Sequence, residues 1–182
     1  MAVRLSLAAR LAGVPVSGRA LRYLVTGSRE WSDWSLVRRF VAALPPGSTV
    51  IHGDAPGLDT MVERVLTQNR PPRARTIRVH GEDGTVGRRA GGNRRGDIDI
   101  EVYPADWDRH RPPAGSRRKN PAGAIRNTRM LKEGEPDRCV YFHDNLEESK
   151  GTRDMVRQCT KAKVPVYEAA DFVRLMRTGS VA

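Results

Sequence analysis

Short apolar runs alternate with stretches of helical spacing, and this alternation constrains the fold more than any other feature of the chain. The apolar run at residues 21–25 is followed by apolar residues at helical spacing over 36–44, and the run at 49–52 by a similar stretch over 58–66. A strand–helix–strand–helix order at this spacing predicts βαβ units, which form a parallel sheet. We therefore expect an α/β domain over residues 21–177, built as a single Rossmann-like open parallel sheet flanked by helices.

The alternation continues to the end of the chain. Further strands are predicted at 98–103, 138–142 and 165–167, and further helices at 122–132, 151–161 and 169–177. Apolar and polar residues alternate in residues 76–80, as they do in residues 98–103. These two segments could therefore also form an extended hairpin with a mobile tip.

Positive charge is concentrated in a few segments. The chain has 32 basic and 21 acidic residues, a net charge of +11, and residues 70–98 alone hold eight arginines. That segment resembles a basic Gly/Arg-rich insertion, and residues 109–120 form a basic loop without an acid. Such segments attract phosphates on nucleic acids or nucleotides. The alternative is that they are solvated loops without a partner.

Residues 1–20 form a basic arm, and residues 178–182 a short tail. The arm resembles a signal or transit peptide, but Arg10 interrupts its apolar stretch, which favours a frayed basic arm or a wrongly chosen start codon. No apolar run reaches the roughly 18 residues of a membrane helix, which argues against an integral membrane protein. Cys139 and Cys159 lack a CxxC partner or clustered histidines, so we expect reduced core thiols in a cytoplasmic protein and no metal site.

Ligands of open parallel sheets bind at the carboxyl ends of the strands, so the loops there are the candidate site. After the first strand, Gly27 allows a close turn, Ser28 adds a hydroxyl and Arg29 a guanidinium, which together suit a phosphate.

The loop after the second strand contains His52, Gly53, Gly57 and Asp59. Asp59 lies in the first turn of a helix, where it either stabilises the helix or accepts hydrogen bonds from ribose hydroxyls. His52 could be a core histidine, a ligand donor or a base.

Two helix starts complete the candidate site. One carries Gly123, Arg126 and Asn127, and a guanidinium there can point into the same crevice. The other carries Ser149, Lys150, Gly151 and Thr152. The second set suits an anion, although it also fits an ordinary N-cap.

Taken in order, these four motifs resemble the SLOG superfamily, and more narrowly its YspA/YpsA-related branch. The stretch from Tyr103 to Trp107 also matches that branch, and the resemblance covers about residues 21–168. It implies a Rossmann-like domain, of bacterial or phage origin, that binds a nucleotide or nucleotide-derived ligand as a sensor or processing enzyme.

The superfamily also includes the LOG phosphoribohydrolases, whose catalytic loop is Pro-Gly-Gly-x-Gly-Thr-x-x-Glu. This chain keeps Gly151 and Thr152, but Met155 occupies the position of the glutamate and Asp154 falls one residue early. Neighbouring helix positions point about 100° apart. Phosphoribohydrolase or N-glycosidase activity is therefore the third reading, with Asp59 or Asp154 as the candidate catalytic carboxylate.

DprA, a single-stranded DNA-binding protein, belongs to the same superfamily, so nucleic-acid binding through the basic segments is the second reading. Stacking platforms for single strands need aromatic residues, which are few here. Trp31 and Trp107 could stack on a base or could be packing residues. The main expectation is that the protein binds a nucleotide-like ligand. The sequence implies no further cofactor and no membrane contact, and it leaves homo-oligomerisation open.

Overall fold

The computed structural model describes residues 20–178, which form a seven-stranded sheet and five α-helices. The strands are β1 (Arg22–Gly27), β2 (Thr49–His52), β3 (Ala74–His80), β4 (Val86–Arg88), β5 (Ile98–Val102), β6 (Arg138–Phe142) and β7 (Val166–Glu168). The helices are α1 (Trp34–Ala43), α2 (Leu58–Gln68), α3 (Ala122–Lys132), α4 (Lys150–Lys161) and α5 (Ala169–Thr178). All of the predicted basic arm except residue 20, and all of the predicted tail except residue 178, lie outside the described residues.

The sheet has the order β4-β3-β5-β2-β1-β6-β7. Within residues 20–178, neighbouring strands run parallel except for β4, which is antiparallel to β3. This arrangement confirms the predicted Rossmann-like α/β fold. It also brings the carboxyl ends of β1, β2, β5 and β6 to one edge of the sheet, where the candidate loops begin.

The proposed hairpin between residues 76–80 and 98–103 is wrong. β3 and β5 pair in parallel, with Ile77 opposite Ile100 and Val79 opposite Val102. The segment between them contains β4, which turns back at Gly81 and pairs with the outer side of β3. After β4 the chain crosses to the other side of β3. It enters β5 there, and β5 runs in the same direction as β3.

Helices cover both faces of the sheet. On one face α1, α2 and α5 enclose the larger core, in which the rings of Phe40 and Phe142 meet edge to face at 5.4 Å. On the other face α3 and α4 enclose a smaller core that includes Cys139, Met155 and Cys159. Both cysteines are free and buried, and the pKa of the Cys139 thiol is raised by its neighbour Cys159 and by burial. No helix in the described part of the chain is long and apolar enough to cross a membrane.

Candidate functional site: a cleft at the carboxyl ends of the strands

A cleft of about 770 Å³ opens where β1, β2 and β6 end, between the starts of α3 and α4. All four predicted motifs contribute to its wall. Of the predicted ligand-binding residues, only His52 and Gly57 lie outside its lining. Both carboxylates considered as catalytic groups, Asp59 and Asp154, also line it.

The first wall is the turn after β1. A Cβ at Gly27 would lie 2.5 Å from Leu58 Cδ2 and 2.7 Å from the Phe142 carbonyl oxygen, so only glycine fits. The turn is held by bonds from Ser28 N–H to the Phe142 carbonyl (3.1 Å) and from Leu58 N–H to the Ser28 carbonyl (3.2 Å). The Ser28 hydroxyl accepts from Glu30 N–H, which leaves its own proton available for donation.

The second wall carries an arginine whose charge is not balanced by an ion pair. Arg126 donates through Nη1 to the Gly53 carbonyl (2.7 Å) and through Nε to Asn127 Oδ1 (3.1 Å). Burial lowers the pKa of Arg126, and among the described residues no carboxylate lies within 4 Å of its guanidinium. The guanidinium thus bonds to neutral acceptors, with Asp59 and Asp54 as more distant carboxylates that raise its pKa, and it could bind an anion.

The third wall is the N-terminus of α4. Ser149 caps the helix, since its hydroxyl accepts from Thr152 N–H at 3.2 Å. The N–H groups of Lys150 and Gly151 lie in the first turn, where they have no carbonyl partner within the helix. Lys150 and Gly151 both line the cleft and are exposed, so the helix N-terminus and a lysine face the same space.

Asn127 joins α3 to α4. Its side-chain amide donates to the Gly151 carbonyl at 3.3 Å and to Asp154 Oδ2 at 3.1 Å, and the residue is almost fully buried. Asn127 therefore positions the two helix starts relative to each other.

The two candidate catalytic carboxylates are engaged in structural hydrogen bonds. Asp59 Oδ2 accepts from the N–H groups of Gly53 and Ala55, each at 3.0 Å. Burial would raise the pKa of Asp154, but hydrogen bonds from Arg157, Asn127 and Gln158 hold it below its usual value.

Met155, at the position of the glutamate in the LOG motif, is fully buried in the smaller core. A carboxylate at this position would therefore be in the core and not in the cleft.

His52 and Gly57 have supporting roles. His52 is 1% exposed, and its Nδ1 accepts from Asp54 N–H at 3.2 Å. This position favours the role of a core histidine over that of a ligand donor or a base. Gly57 has a φ of +78°, and a Cβ there would overlap the backbone of Arg29. It thus permits the start of α2 to approach the first wall.

His52, Asp54 and Glu63 place possible metal-ligand atoms within 4.8 Å of one another. Their geometry does not fit a metal site, because Arg89 already bonds to Asp54 (2.9 and 2.7 Å) and to Glu63 (3.0 Å). Furthermore, the bond that His52 Nδ1 accepts requires its other ring nitrogen to carry the proton.

The cleft wall also contains polar or charged residues outside the four predicted motifs. Lys119 and Asn120, which belong to the predicted basic loop, line the cleft, and so does His143 after β6. The only available signal was their position close to the Gly123 and Ser149 motifs, since the loops have no periodic pattern.

The two tryptophans considered as stacking residues lie in different places. Trp107 lines the cleft, where the Arg29 guanidinium lies 5.6 Å from the centre of its ring. Trp31 packs edge to face on Phe142 at 5.7 Å and adjoins the larger core. The packing interpretation therefore fits Trp31, whereas Trp107 is available to a ligand.

The chain is similar to a phage protein. The Gene 61 protein of Mycobacterium phage D29 is 31% identical over 154 residues, which cover 82% of this chain and 97% of the phage protein. The chain belongs to the family of this Gene 61 protein. No model of a known protein family matches the chain, and no solved structure matches it.

Half of the arginines in residues 70–98 hold the fold together. Arg73 bonds to Asp97 and to two carbonyls at the end of α1. Arg75 and Arg78 pair with carboxylates of β5, and Arg89 pairs with Asp54 and Glu63. For these four arginines, both expectations are wrong: they are neither free to bind a polyanion nor part of a solvated loop.

Proposed function

We propose that this protein binds a nucleotide or nucleotide-derived small molecule in the cleft, as a sensor or as a processing enzyme. The observation that carries the proposal is Arg126, a largely buried guanidinium in the cleft wall without an ion-pair partner in the described residues. Resemblance to the SLOG superfamily points to the same class of ligand.

A phosphate group suits the end of the cleft where α4 begins. Lys150, the first N–H groups of α4, the Ser28 hydroxyl and Arg126 supply donors and positive charge on that lining. The neighbouring cavity, of about 450 Å³, shares Glu30 and Glu148 with the cleft, but its lining adds further carboxylates such as Asp144 and Glu168 and contains no lysine or arginine among the described residues, so it would repel a phosphate. Charge therefore favours phosphate in the cleft over the adjoining cavity.

The cleft size fits the proposed ligand class, since small-molecule sites measure roughly 300–1,000 Å³. Asp59 has one carboxylate oxygen engaged with backbone N–H groups, and its second oxygen could accept from a ribose hydroxyl. This geometry supports binding more strongly than hydrolysis, because neither cleft aspartate is poised as a free general base.

Calorimetric titration with AMP, ADP, NAD and ADP-ribose tests the proposal, with Arg126→Gln as the variant. Loss of a charge-assisted hydrogen bond costs about 1.5–3 kcal/mol, so we expect Arg126→Gln to weaken binding by about tenfold or more. Lys132→Gln removes the same charge from the exposed face of the same helix and should leave the affinity unchanged. Folded wild-type protein that binds none of these compounds at millimolar concentration would contradict the proposal.

Nucleic-acid binding is a second candidate because eight cations of the two basic segments have no ion-pair partner among residues 20–178. They are Arg70, Arg88, Arg94, Arg95, Arg109, Arg117, Arg118 and Lys119.

Neutralised phosphates release counterions, so affinity for a labelled single strand should fall steeply between about 50 and 200 mM salt. Arg117→Gln combined with Arg118→Gln should reduce this salt dependence, and Arg126→Gln should not. An affinity that stays flat over that range would exclude the second candidate.

A further inference from the structure

Trp107 is an exposed aromatic ring on the wall of the cleft. Its relative exposure is 44%, and with Val86 it makes up the exposed large hydrophobic residues of the described chain. The sequence has three tryptophans, and Trp31 and Trp34 are partly buried against the larger core. An exposed ring that contributes little to packing needs another explanation.

Polar contacts hold the loop that carries this ring. The Trp107 carbonyl accepts from Asn120 Nδ2 at 2.8 Å, and Asp106 Oδ1 accepts from Arg109 N–H at 2.9 Å. These bonds fix the backbone on both sides of the ring. The loop that carries the ring is thus held in place by hydrogen bonds.

Glu82 anchors the same loop from outside the cleft. It lies in the turn between β3 and β4, and its side chain is 8% exposed. Its Oε1 accepts from Asp106 N–H at 3.3 Å, and its Oε2 lies 2.7 Å from His110 Nε2. One carboxylate therefore ties the β3–β4 turn to residues before and after Trp107.

A flat group already lies over the ring. The Arg29 guanidinium is planar, stands 5.6 Å from the ring centre, and has no ion-pair partner among the described residues. Gly123 lies close to the edge of the ring, since a Cβ there would come 3.3 Å from Trp107 Cη2. Because the ring is 44% exposed and Arg29 is not held over it by an ion pair, a planar partner can replace Arg29 on the Trp107 face.

We infer that Trp107 is the stacking platform for the base of the nucleotide, and that Glu82 is a positioning residue for it. The inference rests on the proposed function and deepens it, because it makes the base a part of the ligand that is recognised. When the base stacks on Trp107, Arg29 leaves the ring and becomes free to pair with phosphate. A sugar phosphate without a base uses the α4 end of the cleft alone.

The first experiment compares AMP with ribose 5-phosphate by calorimetry in wild type, Trp107→Ala and Val86→Ala. Base–aromatic stacking contributes enough that Trp107→Ala should weaken AMP binding about tenfold and leave ribose 5-phosphate within twofold. Val86→Ala removes the other exposed apolar side chain and should change neither affinity. An equal loss for both ligands, or no loss for either, would overturn the inference while the proposed function stands.

The second experiment measures the fluorescence of Trp107. In a Trp31→Phe, Trp34→Phe background, Trp107 is the sole tryptophan, and AMP should quench its fluorescence whereas ribose 5-phosphate should not. Glu82→Ala should weaken AMP binding and the quench without changing ribose 5-phosphate affinity, and Asp83→Ala in the same turn should alter neither.

Circular dichroism confirms that each variant is folded. A Glu82→Ala variant with unchanged AMP affinity and quench would remove Glu82 from the inference. If folded wild-type protein binds neither AMP nor ribose 5-phosphate, the proposed function fails for these ligands and the inference fails with it.

Discussion

Individual residues in the cleft are placed by backbone geometry more than by their own chemistry. Gly27 and Gly57 allow three chain segments to meet where a side chain would collide, and Asp59 fastens the loop after β2 through backbone N–H groups. These features explain why glycine and aspartate recur in the motifs. The donors that line the cleft, such as Lys150 and Arg126, depend on that framework for their position.

Gly53 offers a prediction at this scale. A Cβ at Gly53 would overlap the Arg126 guanidinium and lie 2.5 Å from its Cζ. Because the colliding atoms end a flexible side chain, Gly53→Ala should displace Arg126 and weaken AMP binding about tenfold, with only a small change in the free energy of unfolding.

Calorimetry and urea unfolding of Gly53→Ala measure both quantities. Gly87→Ala is the matched control, since a Cβ there meets nothing within 4 Å. AMP affinity equal to that of wild type in Gly53→Ala would show that Arg126 does not depend on this position.

At the scale of elements, the outer half of the sheet is stabilised by arginine–carboxylate pairs between strands. Arg75 and Arg78 of β3 pair with Asp99 and Glu101 of β5, and Arg22 of β1 bonds to Glu101 at 2.6 Å. Arg75 and Arg78 were expected either to attract phosphates or to lie in a solvated loop, because ion pairs across parallel strands have no local signature in the sequence. The helices and most strands were predicted correctly, because they follow from periodicity.

The Asp99 pair predicts how stability depends on pH. Burial would raise the pKa of Asp99, but hydrogen bonds from Arg75 and Thr76 hold it below the usual value. Asp99 therefore binds a proton more readily in the unfolded chain than in the folded protein. Its contribution to the free energy of unfolding is complete above about pH 4 and is lost as the pH falls through its lowered native pKa.

Asp99→Asn should therefore destabilise the protein by about 1 kcal/mol at pH 7 and flatten the decline of stability between about pH 4 and pH 2. Urea unfolding at pH 7, 4, 3 and 2 measures the effect. Asp108→Asn, which alters a side chain that is 85% exposed, should leave the pH profile unchanged. A profile for Asp99→Asn that parallels the wild type would refute this role.

At the scale of the whole molecule, the fold collects four distant motifs at one edge of the sheet. Their convergence was predictable, because the carboxyl ends of neighbouring parallel strands meet there. Trp107 was already a candidate stacking residue in the sequence, whereas the placement of Lys119 and Asn120 in the wall was not predictable, because it depends on contacts between loops such as that of Asn120 with the Trp107 carbonyl. Contacts of this kind arise from tertiary structure and leave no mark in periodicity or composition.

Both margins of the sheet are short. β4 and β7, the two outermost strands, have three residues each. A margin of this length offers few unpaired backbone groups to a strand of another molecule, which protects against aggregation through strand addition. If copies of this protein associate, the geometry favours contact through helices and side chains over extension of the sheet.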